Sequence, residues 1–73
     1  MNPRYETAGR LYRAAVEEFR GLVVQDAENG SGLYEEIVVK QAEVLQHRAE
    51  RIAQETGIPV RVLHALELLS VRV

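Results

Sequence analysis

His47 and Glu50 stand three residues apart, and so do His64 and Glu67 in a separate segment. On a helix that spacing puts both side chains on one face, where an imidazole and a carboxylate could each ligate a metal ion. A closed site needs all four to converge, and both glutamates sit among ordinary surface charges. The expectation is therefore solvated histidines beside carboxylates, with no metal bound. Ser31 and Ser70 lack a recognisable base and acid to activate them. Gly30-Ser31-Gly32 has no third glycine and no clear strand before it, so it predicts a loop rather than a phosphate cradle. No two carboxylates share an apolar setting that would push their pKa values apart. With no cysteine there is no thiolate zinc site and no disulfide. These residues predict a protein that is not an enzyme, with no catalytic residues and no cofactor.

The elements that would position any site must fit into 73 residues, which is one domain at most. A chain this short buries only about 60% of its unfolded surface. With no disulfide to help, a partner is the natural source of further stability. Composition is globular, 47% hydrophobic and 27% charged. Nine basic residues face eleven acidic ones, a net charge of −2. A dedicated nucleic-acid binder shows a basic surplus, because phosphate neutralisation dominates its affinity. That surplus is absent here, and it is not hidden in one half: residues 1–32 carry four basic and five acidic groups, residues 33–73 five and six. The first residues have no apolar stretch of the signal-peptide kind, and no run approaches the ~20 apolar residues a membrane span needs. A cytoplasmic protein without a membrane contact is the expectation.

Asn2-Pro3 is a helix start: a capping side chain, then a proline at the first helical position. Tyr5, Ala8, Tyr12, Ala15, Phe19 and Leu22 follow at spacings of three and four, one stripe of a helix over 3–28. Leu11, Val16 and Val23 widen that stripe. Glu28-Asn29-Gly30-Ser31-Gly32 is a break, and Ser31 can cap the helix after it. Val38, Ala42, Leu45, Ala49 and Ile52 make the second stripe, on a helix over 32–56. Leu22-Val23-Val24 and Ile37-Val38-Val39 are β-prone, and a hairpin across the Asn-Gly loop is the alternative for 22–39. Gly57 stops the second helix, and Pro59 starts a third over 59–70, with Val62, Leu66, Leu69 and Val73 as its stripe and Leu63 beside it. The fold class expected is all-α, a three-helix bundle in a single domain over 1–73.

The segment from Arg51 to Leu69 carries the one informative motif. Ala53 is small where two helices could cross, Gly57 can take a positive φ, and Ile58 can plug the corner. Leu63 and Leu66 can turn the next helix back to the core. In these features Ile52-Ala53-Gln54-Glu55-Thr56-Gly57-Ile58-Pro59 resembles the helix-turn-helix unit of bacterial transcription regulators. It is most similar to winged-helix regulators of the isocitrate-lyase-regulator type, and the expectation is of that unit without its wing. The resemblance implies a helix-turn-helix corner and a role in transcription.

The outward residues of the second helix of that unit would be Pro59, Val60, Arg61, His64, Ala65 and Leu68. Base reading relies on Arg, Lys, Asn, Gln, Ser and Thr. One Arg and one His among apolar neighbours suit a protein surface better. The expectation is a small regulator that works by protein–protein contact, on RNA polymerase or a transcription factor, through Val60, Arg61, His64 and Leu68. A phage-encoded inhibitor or adaptor has this profile. The alternative is a helix-turn-helix protein with DNA as its partner. The DNA reading expects a dimer, and a homodimer is a further partner to test.

Overall fold

The computed structural model describes residues 2–30 and 32–71, and they form three helices in the order α1 (Pro3–Glu28), α2 (Tyr34–Thr56) and α3 (Val60–Val71). No strand occurs among the described residues, so the 22–39 hairpin is not formed: Leu22-Val23-Val24 and Ile37-Val38-Val39 are helical. β-branched residues lower helix propensity only by tenths of a kcal/mol each, and the long stripes on both sides outweigh that. None of the described helices is long and apolar enough to cross a membrane.

Local signals set the helix ends. Asn2 Oδ1 accepts a hydrogen bond from Arg4 N at 2.8 Å, and Pro3 occupies the first helical turn. α1 ends where Asn29 N donates to Gln25 O and Gly30 takes φ 67°. α2 starts two residues later than its sequence predicts. Its entry is secured by Glu36, whose Oε1 accepts from Leu33 N at 3.3 Å. Ser31, expected to cap this helix, lies outside the described residues, as does Val73 at the end of the third stripe. Pro59 is not the first residue of α3 but the one before it: its carbonyl accepts from Leu63 N at 3.2 Å.

α1 has 26 residues and is about 39 Å long at 1.5 Å per residue, close to the 42 Å long axis of the molecule. α2 runs back along it, and α3 packs on both at the end where α1 begins and α2 finishes. The main core lies there: Ala8, Tyr12 and Val16 from α1, Ala49 and Ile52 from α2, Ile58 from the corner and Leu63 from α3. Tyr5, Leu45, Val60 and Val62 close its edges.

Beyond the reach of α3 the molecule is a two-helix layer. Ala15, Val23 and Ile37 are buried here, outside the main cluster. Gln41 is buried with them, and its Nε2 donates to Asp26 Oδ2 at 3.0 Å. The sequence stripe placed Ala42 at this point, but Ala42 is exposed. The buried face runs Ile37, Gln41, Ala49 and Ile52, with Leu45 half-buried among them. Ile37, Gln41 and Leu45 follow one another at i, i+4 and i+8, the row that meets α1 through the Gln41–Asp26 bond. Arg48 Nη1 also spans the two helices, 2.6 Å from Glu18 Oε2.

Candidate functional site

Gly57 takes the left-handed conformation at φ 75° and ψ 13°, and its N–H donates to Ala53 O at 2.8 Å. A residue with a Cβ is strained there, so glycine is the residue that ends α2 and turns the chain. Thr56 braces the same turn. Its hydroxyl donates to Ile52 O at 2.7 Å and accepts from Ile58 N at 3.4 Å. Ile58 then points into the core with 1% of its surface exposed. Leu63, one turn into α3, is fully buried. Together these contacts fix where α3 leaves the corner and which of its faces turns inward.

With Leu63 inward, Arg61, Ala65 and Leu68 point out. They follow one another at i, i+4 and i+7 and share one stripe. Leu68 is 73% exposed, and Leu69 beside it 63%. Arg61 is exposed and makes no ion pair among the described residues. Pro59 is exposed at the start of this surface. Val60 differs from the other expected contact residues: it is half-buried and packs on the main core. A helix that turns Leu63 inward brings residue 60, one turn earlier, to the same side.

His64 lies at the edge of the outward stripe. Its ring sits 5.3 Å from that of Tyr12, tilted by 44°, and the Tyr12 hydroxyl lies 3.4 and 3.5 Å from the two ring nitrogens. These are long contacts, so the pair is held chiefly by ring packing. Glu67 turns towards α1, where its Oε2 is 3.9 Å from Arg13 Nε. Burial raises the Tyr12 phenol above its ordinary pKa of 10.0, and the Glu67 carboxylate adds to the rise. His64 and Glu67 therefore each have an α1 partner. His47 and Glu50 form a separate exposed pair at 3.8 Å. The two His-x-x-Glu pairs do not converge, and no group of three or more metal-ligating side chains occurs among the described residues.

The sequence pattern missed the Tyr12–His64 contact, because both residues fit their own helices without reference to each other. It also assigned Leu69 to the core, whereas α3 turns Leu63 and Leu66 inward and leaves Leu69 out.

Helices packed in this order make the chain a small all-α, three-helix protein. Comparison with protein-family models, with curated proteins and with solved structures finds no match.

Proposed function

We propose that the protein is a small non-enzymatic regulator that works by protein–protein contact through the outer face of α3. The observation that carries this reading is the exposed stripe of Arg61, Ala65 and Leu68 with Leu69 beside it. An apolar surface with a single unpaired Arg is the composition of an interface anchor, which gains more from burial in a protein groove than from contact with phosphates. His64 borders the stripe and is held by Tyr12, so it can meet a partner with little loss of side-chain freedom. Val60 acts from behind by seating the helix on the core. The resemblance of residues 51–69 to the helix-turn-helix unit directs the reading to a target in the transcription machinery, in the cytoplasm.

One observation favours a second reading, DNA binding by α3. The left-handed Gly57, the buried Ile58 and the inward Leu63 are the features a helix-turn-helix corner requires. One set of variants separates the two. Arg61→Ala and Leu68→Asp are compared with wild type in capture of proteins from host lysate and in retardation of mixed DNA fragments at increasing salt. Protein contact predicts that both variants lose the same captured protein while melting like wild type. The DNA reading predicts retardation that fades with salt, vanishes in Arg61→Ala and survives in Leu68→Asp.

A further inference from the structure

We propose that the end of the molecule opposite the corner is the interface of a two-fold homodimer, in which a second copy covers the groove between α1 and α2. The groove is lined by Phe19, Arg20, Val23, Val24, Tyr34 and Val38. Val24 and Tyr34 are more than half exposed, and Leu33 and Val39 on the same end of the helical hairpin that α1 and α2 form are exposed as well. Domains are stable when at least two layers bury their apolar faces against each other. At the corner α3 is the second layer. At this end the described residues supply none, although the stripe of α1 continues through it.

The size of the uncovered surface argues for a second copy. The accessible surface is 5397 Å² for a chain of 8.2 kDa. A compact monomer of that mass exposes about 4,500 Å². The excess, about 900 Å² over the whole molecule, leaves room for one interface of the standard size, to which each partner contributes ~800 Å². Charge points the same way. Among the described residues Arg20 is the only charged one lining the groove, and it makes no ion pair with the others. A groove built to hold a strongly charged segment would carry more of one sign. A second copy brings matching apolar side chains together with Glu28 and Glu35, exposed carboxylates of the same end. Two hairpin ends face to face make a four-helix arrangement, the usual way for such layers to close.

This interface is separate from the outer face of α3, so each can fail alone. Sedimentation equilibrium over a dilution series is the test, on wild type, Val24→Glu, Tyr34→Lys and Leu68→Asp, with helix content followed by circular dichroism. The expected result is a wild-type dimer that Leu68→Asp leaves intact. Val24→Glu and Tyr34→Lys should each weaken it at least tenfold without loss of helix. If one of these two unfolds, the other carries the test. Three results would overturn the proposal: a wild type that stays monomeric at the highest concentration, a dimer that the folded groove variants leave unchanged, or a dimer that only Leu68→Asp dissociates.

Discussion

The corner end and the hairpin end are built from the same two helices and nearly the same apolar pattern, yet they are finished differently. At the corner, Ala8, Tyr12 and Val16 meet Ala49 and Ile52 with Ile58 and Leu63 closing over them, and each of these is buried. At the hairpin end, Val23 and Ile37 are covered only by the opposite helix, Gln41 and Asp26 hold each other between them, and Val24 and Tyr34 remain in solvent. The difference comes from α3, which reaches only one end. An amphipathic stripe therefore states that a face wants covering, not what covers it. Stability should be concentrated at the corner and association at the other end.

The largest effect should come from Leu63→Ala. Leu63 is the fully buried contribution of α3, and truncating such a side chain costs about 2–5 kcal/mol. For a domain of this size that is most of the folding free energy, and thermal melting should show a protein at the edge of unfolding. A loss under ~1 kcal/mol would mean that α3 is not the lid of the core.

Gly57→Val comes next. A β-branched residue at φ 75° is strained by about 1–3 kcal/mol. The space around the position is not crowded, since the nearest atom to an added Cβ is Arg4 Nη1 at 3.8 Å. The cost is therefore conformational, and Gly57→Asn should recover part of it. Equal melting of the Val and Asn variants would show that the corner relaxes without a left-handed residue.

A smaller effect, of opposite sign, is expected from Gly21→Ala. Gly21 is exposed within α1, and nothing lies within 4 Å of an added Cβ. Alanine should stabilise the protein by up to ~1 kcal/mol through helix propensity alone. A destabilised variant would mean that another surface approaches α1 closely at this point.

The smallest effect is confined to alkaline pH. Tyr12 ionises at higher pH in the folded protein than in the unfolded chain, because burial and Glu67 disfavour the phenolate. Above the unfolded pKa of about 10 the unfolded chain holds fewer protons than the folded one, so stability falls as pH rises. Tyr12→Phe should flatten that fall in denaturant titrations between neutral and alkaline pH. An unchanged slope would assign the alkaline loss to other groups.

Much of the fold was legible because it depends on local rules. The α1 stripe, Asn2-Pro3 and Gly57 each act through neighbours in sequence, and they fixed the helices to within two residues. Ile58 and Leu63 were legible as core for the same reason. What was not legible depends on how far one helix extends over another. Gln41 goes inside because it meets Asp26 of α1, and Ala42, one residue on, turns away into solvent. Leu69 is exposed because Leu63 and Leu66 set the rotation of α3. Of the candidate face, Arg61 and Leu68 stand in solvent as expected. Val60 belongs to the core edge, and His64 is shared with Tyr12, a residue 52 positions away that no spacing rule connects to it.

Native-state hydrogen exchange, read residue by residue at low and high protein concentration, tests the contrast between the two ends most directly. At low concentration the amides around Tyr12, Ala49, Ile52 and Leu63 should exchange only with global unfolding, while those of residues 20–28 and 35–42 exchange through smaller local openings. At high concentration the second group should slow and the first should change little. Uniform protection along α1 and α2 at low concentration would contradict the account, because the hairpin end would then be as well finished as the corner without a partner.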